Sequence, residues 1–195
     1  MPITSVQQGV IGQNEWAKLV MVGTGGAVEV AVTVTDDERR DGETHIRGQF
    51  GFALANQIKT TTQLHISKGG SKYLVCKFSV LPERIVNHPC YWYFIAYFDL
   101  KLMRFADPVF FVPSTVMHTH ATSGRDGRMQ HYILEANMEP NGRDLWVPHR
   151  VNTLDLGKKV LETMNDLQKQ VKRNKNLSLA IPSIDPDVRW VRKAA

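Results

Sequence analysis

The alternation of apolar and polar positions divides the chain into helices and strands. Residues from about Val10 to Val22 read as a helix that Gly23, Gly25 and Gly26 end, because glycine tolerates the positive φ found past a helix C-terminus. In AVEVAVTVT, residues 27–35, Val28, Val30, Val32 and Val34 alternate with smaller or polar residues, which is the period of a strand. DDERRDGE, residues 36–43, reads as a polar turn, and THIRGQF (44–50) and FALANQIKTTT (52–62) as two more strands. Ser71–Val80 is a further strand, and Pro82 opens a short helix over Leu81–Asn87. CYWYFIAYF (90–98) and VFFV (109–112) are apolar throughout and too short to span a membrane, so they read as strands buried on both faces. Pro113-Ser114 opens a turn or short helix, TSGRDGRMQ (122–130) reads as a flexible loop, His131–Met138 as a strand and EPNGRD (139–144) as a turn.

A closing helix runs from a cap at Asn152 or Thr153 to about Lys172. Leu156, Val160, Met164, Leu167 and Val171 form its apolar stripe. The order predicts an α/β domain over residues 1–172, with a mixed central sheet flanked by helices, and a loose tail over 173–195.

Length and composition agree with one domain: 195 residues, 43% hydrophobic. No apolar run reaches the roughly 18 residues of a membrane span. The first residues do not read as a signal peptide. The expectation is a soluble, cytoplasmic protein. Cys76 and Cys90 are too few and too separated for a zinc site of paired cysteines; buried thiols are expected, with a disulfide as the alternative. The net charge of +5 attracts polyanions without specifying one.

Chemistry gathers at four positions. Gln57 and Lys59 are two apart in a strand, so they share a face while Ile58 points away. Asp41, at the end of the acidic turn, can share a hard cation with the Gln57 oxygen. Such a cation takes oxygen ligands and completes its shell with water and substrate phosphate. Lys59 would then stand beside the scissile phosphate, to move a proton or neutralise charge. Glu15 lies between Ile11 and Leu19 on the first helix, where a carboxylate calls for a partner, either a shared metal or Lys59.

The order of a first-helix acid, a strand, an Asp, then Gln-x-Lys resembles the PD-(D/E)xK, or restriction-endonuclease-like, nuclease superfamily. DDERRD (36–41) with QIKTT (57–61), and later HPCYWYFIAYFD (88–99) and DPVFFVPS (107–114), look like a group of bacterial nuclease-like domains with an Asp…Gln-x-Lys motif. The resemblance covers about residues 9–165, its specific motifs about a quarter of that. It implies a DNA endonuclease that hydrolyses phosphodiester bonds with Mg²⁺ or Mn²⁺, in defence or DNA repair. Asp41, Gln57 and the Ile58 main-chain oxygen would hold the metal, Lys59 would assist catalysis, and Glu15 would be the first-helix acid and a further metal ligand. DNA is the implied partner, with a homodimer and a separate motor or modification protein as further partner states. The chain departs from the common pattern at Arg40 and Gly42, where apolar residues are usual, and at Gln57, where Glu is commoner. The last change leaves the site one charge short.

Simpler roles stand beside these. Asp36, Asp37 and Glu38 read as a solvated turn or as further acids of the site. Arg39 and Arg40 either pair with those acids or touch substrate phosphate. Lys158 and Lys159 open a basic helix face that is either solvated or phosphate-tracking. His118 and His120 lack a third ligand, and Trp92, Tyr93 and Phe94 are core before they are a stacking surface. A non-catalytic nucleic-acid- or protein-binding member of the same fold is the alternative reading.

Overall fold

The structure is a computed structural model, and it describes residues 3–32, 40–49, 51–174, 177–179 and 181. The first helix, α1 (Ser5–Gly23), begins earlier than the apolar pattern indicates. Thr4 and Gln7 form a capping box: the Thr4 hydroxyl accepts from the Gln7 backbone N–H, and the Gln7 side chain accepts from that of Thr4. Gly25 and Gly26, both at positive φ, turn the chain into β1 (Val28–Val32).

Next come β2 (Gly42–Ile46), β3 (Leu54–Thr61), β4 (His65–Ile66), β5 (Lys72–Val80), β6 (Tyr91–Asp99), β7 (Arg104–Phe105) and β8 (Val109–Pro113). After a short helix, α2 (Ser114–His120), the chain forms β9 (Thr122–Asp126), β10 (Met129–Asn137), β11 (Arg150–Val151) and the closing helix α3 (Leu156–Arg173). The central sheet runs β1-β2-β3-β6-β8-β11, with β7 on the end of β6. It is mixed: β3 and β6 are parallel, and the other pairs are antiparallel.

A parallel pair needs a crossover. Here it runs through β5, which belongs to a second antiparallel sheet of order β4-β5-β10-β9. That sheet, with α2, covers one face of the central sheet. Leu74, Met117, Tyr132, Leu134 and Ala136 pack against Tyr91, Tyr93, Ile95 and Phe110. Helices α1 and α3 cover the other face, where Trp16, Val20, Val160 and Met164 pack against Leu54, Ile58, Phe94 and Phe111. Strands β6 and β8 are therefore buried on both faces, as their unbroken apolar runs require. Phe94 and Tyr93 are core residues, whereas Trp92 is half-buried and stacks on Phe111.

Two expectations change, and the cysteines stand as expected. Residues 122–130, expected as a loop, are β9, a two-residue turn and the start of β10. Every residue of β9 is exposed at a sheet edge, so its sequence carries no apolar alternation to reveal it. The tail expected from 173 onwards is not loose where it is described, since Leu179 and Ile181 pack on the core. Both cysteines are free and buried. Burial pushes the Cys76 thiol up to about 12 and Cys90 to about 11, so neither supplies a thiolate near neutrality. Among the described residues, no helix is long and apolar enough to cross a membrane.

Candidate functional site

The site grows from the place where β2 and β3 part. Gly42 is the last β2 residue in register with β3, opposite Asn56, and the Asp41 N–H still donates to the Asn56 carbonyl at 2.9 Å. Beyond that point the outer edge of β3 has lost its neighbour, and the Asp41 carboxylate takes its place. Oδ2 accepts the Ile58 backbone N–H at 2.6 Å and the Gln57 Nε2–H at 2.5 Å. In an extended strand the carbonyl of a residue points to the same edge as its N–H. The Ile58 oxygen is therefore directed to the edge that Asp41 occupies.

Gln57 is 6% exposed, and its Oε1 accepts from the Tyr91 hydroxyl at 3.1 Å. Lys59 shares its face. Its ammonium lies 6.0 Å from the centre of the Phe78 ring, which in turn stacks on Tyr93 and Tyr132. The β3 alternation thus places Gln57 and Lys59 toward the second sheet, and Ile58 and Thr60 toward α1.

Helix α1 crosses above the same parting of strands. Gln8 donates to the Thr60 carbonyl at 2.5 Å. A Cβ on Gly12 would lie 2.5 Å from the Thr60 methyl, and one on Gly42 would lie 2.7 Å from the Trp16 ring. Glycine at both positions lets the helix and the strands approach this closely. Glu15 sits on this stretch of helix with its side chain only 13% exposed, and its carboxylate pairs with Lys18 at 2.5 Å. Lys59 is not its partner, because Lys59 projects from the face of β3 opposite α1.

The remaining expected residues add nothing to this cluster where they are described. Arg40 pairs with Glu43; Asp36, Asp37, Glu38 and Arg39 fall outside the described residues. Lys158 and Lys159 line a cavity of about 630 Å³ with Asp107, Arg150, Asp155 and Glu162, a lining that includes none of Asp41, Gln57 and Lys59. His118 and His120 are two apart on a helix, so their side chains diverge. His118 Nε2 meets the Tyr93 hydroxyl at 2.9 Å, and burial lowers its pKa to about 4, which makes it a neutral core group. Tyr91 was not anticipated in the site: its apolar run reads as core, and only the pairing of β3 with β6 places its hydroxyl against Gln57.

The donor set can be tested against a divalent cation. Among the described residues no three His, Cys, Asp or Glu side chains gather to hold one. What converges is one carboxylate, one amide and one main-chain carbonyl, the oxygen chemistry of Mg²⁺ or Mn²⁺. An amide presents a donor or an acceptor according to its last torsion, and a tyrosine hydroxyl both donates and accepts. Gln57 can therefore offer its oxygen toward Asp41 while keeping Tyr91 as a partner. The residues fit a weakly held cation that relies on water and substrate phosphate for the rest of its shell.

No protein-family model matches the chain, and no curated protein sequence matches it. Among solved structures it is similar to a bacterial homing endonuclease, I-Ssp6803I, over 86% of this chain and 98% of that one, with a TM-score of 0.52 and 12% identity. At that identity the likeness is one of fold. The chain has a nuclease-like α/β fold: a mixed central sheet flanked by helices, with a C-terminal helix closing it.

Proposed function

We propose that this chain is a metal-dependent DNA endonuclease whose site is Asp41, Gln57, the Ile58 main-chain oxygen and Lys59. The observation that carries the reading is the convergence of the Asp41 carboxylate, the Gln57 side chain and the Ile58 backbone on one edge of β3. Lys59 lies on the same face of that strand as Gln57. The likeness of fold to a homing endonuclease supports DNA as the substrate.

Mg²⁺ or Mn²⁺, when bound, supplies a Lewis acid for the phosphate oxygens. The chain's own groups do the rest. Asp41 contributes the negative charge, and the hydrogen bond from the Ile58 N–H fixes its direction. Gln57 adds an oxygen without charge, so affinity for the cation depends on the substrate phosphate. Lys59 offsets the charge that builds on the phosphate, or orients the attacking water. Glu15, on the helix that packs over β2 and β3 through Gly12 and Trp16, acts on this site through its charge.

The experiment incubates the full chain with plasmid and linear DNA plus Mg²⁺ or Mn²⁺, beside Lys59→Ala. Cleavage that requires both metal and Lys59 is expected; its absence sinks the enzymatic claim. A non-catalytic binding member of the fold is favoured by one observation: the Asp41 carboxylate already has protein donors in Gln57 and Ile58. Asp41→Ala separates the two readings, because it abolishes Mn²⁺ binding in the enzyme and leaves DNA or partner binding almost unchanged in the rival.

A further inference from the structure

We infer that the β9–β10 ribbon is the element that reads DNA sequence, inserted in the major groove of a duplex held at the Asp41–Lys59 site; this rests on the nuclease reading above. The ribbon is a two-residue hairpin. Asp126 pairs with Met129, and Gly127 and Arg128 form the turn. Gly127 has φ +55° and Arg128 has no positive φ, the pattern of a type II′ turn, whose twist matches that of the flanking strands.

Strand β9 is exposed along its whole length. It carries no apolar stripe that a protein partner or a membrane would bury. The ribbon is joined to the candidate site through the second sheet. Tyr132 of β10 is paired with Phe78 of β5, and Phe78 is the ring beneath the Lys59 ammonium. Two residues further along the same face, about 7 Å by strand geometry, Val80 is opposite Gln130, and Gln130 is opposite Arg125.

The face that continues outward from Lys59 therefore ends in an Arg–Gln pair, while Asp126 points to the other face. Among the described residues no side-chain hydrogen bond or ion pair ties Arg125 or Gln130 to the protein. The B-DNA major groove admits a two-stranded β-ribbon. Arg bidentate to guanine and Gln bidentate to adenine are the pairings that its base edges favour. Arg128 at the tip is placed for a phosphate. The deep, narrow major groove of A-form RNA does not admit such a ribbon.

The test uses the full chain carrying Lys59→Ala, so that DNA is bound and not cut, in Mg²⁺ at about 150 mM salt. A library of duplexes with a randomised core is selected for binding. An enriched motif is expected. Arg125→Ala and Gln130→Ala should each weaken the enriched duplex by about 10–100-fold and a scrambled duplex by much less, with base preference lost at one position. Arg125→Lys keeps the charge and loses the bidentate fork, so it should lose the same preference. Arg128→Ala should weaken both duplexes alike and lower the salt dependence by about one counterion.

No enriched motif, an enriched motif indifferent to Arg125 and Gln130, or tighter binding to double-stranded RNA overturns the inference. Circular dichroism checks that each variant is folded. Cleavage by the wild-type chain is scored separately. A ribbon-dependent motif without cleavage sinks the nuclease reading and leaves the ribbon, whereas cleavage indifferent to the ribbon sinks the ribbon alone.

Discussion

Two partly buried aspartates of this protein do similar things to the backbone and differ in the cations of their surroundings. Asp41 receives the Ile58 N–H and the Gln57 side-chain N–H on the edge of β3, the strand on which Lys59 shares a face with Gln57. Asp144, in the turn after β10, receives the N–H groups of Asn137 at 2.6 Å and Trp146 at 2.8 Å. Its cation is Arg150, whose guanidinium also donates to the Asn137 and Glu139 carbonyls. Gly142 fits into this knot because a Cβ there would lie 2.5 Å from Asn137 and 2.9 Å from the guanidinium.

A guanidinium is a rigid fork, and three acceptors take up Arg150. It fastens a turn. An ammonium is a point charge on a flexible stem, and Lys59 lies over an aromatic ring on the same face as an amide oxygen. The comparison separates a cation held by three acceptors of the fold from one that rests over an aromatic ring.

The sharpest way to break this comparison is to remove each cation in turn. Lys59→Ala should lower metal-dependent DNA cleavage by about 10²–10⁴-fold, the range for a positioned proton-transfer group, with little change in the thermal midpoint. An equal loss of stability would make Lys59 a structural residue like Arg150. Arg150→Met should do the reverse. The Asp144 carboxylate would stay in place without its cation, at a cost of about 3 kcal/mol in urea unfolding, the lower end for a broken buried pair because both side chains keep some exposure. Cleavage per folded molecule should be unchanged.

A smaller change sharpens the Asp41 side. Gln57→Glu supplies the charge that the amide lacks, and should tighten Mn²⁺ binding by about tenfold in calorimetric titration, a figure on the order of one added carboxylate ligand. Two carboxylates in one place also raise one of their pKa values. The gain should therefore shrink as pH falls, and a pH-independent affinity equal to wild type would show that residue 57 does not touch the cation.

The smallest effect concerns the aromatic layer that supports Lys59. His118 has a folded pKa of about 4, below its ordinary value near 6.5, because burial disfavours its charged form. Between those values the unfolded chain binds more protons than the folded one, so stability falls as pH drops from about 6.5 toward 4. His118→Gln should flatten this slope by up to one proton in urea titrations across that window. An unchanged slope would show that His118 does not cause it.

How much of the site could be read in the sequence depended on whether the signal was local. The period of two in NQIKT sufficed to put Gln57 and Lys59 on one face, since side-chain direction in a strand is a local property. The unbroken runs at 90–98 and 109–112 sufficed to bury β6 and β8. The partner of Glu15 was not legible, because it depended on which face of β3 the helix covers, and Lys18, one helical turn away, was the near cation. Tyr91 was hidden by its own hydrophobicity. The ribbon was hidden by polarity, since an exposed edge strand obeys no apolar pattern and only pairing with β10 makes it a strand.

By itself the sequence determined the class of the fold, the order of most elements and the shared strand face of Gln57 and Lys59, because periodicity and residue type act over a few neighbours. Only the tertiary structure decided that the β3–β6 crossover forms a second sheet and that the Asp41 carboxylate completes the edge of β3 where β2 departs. It alone set Tyr91 against Gln57 and left Lys158 and Lys159 lining a separate cavity. Those outcomes rest on hydrogen bonds and packing between segments tens of residues apart, and no local pattern encodes which distant edge or face a segment will meet.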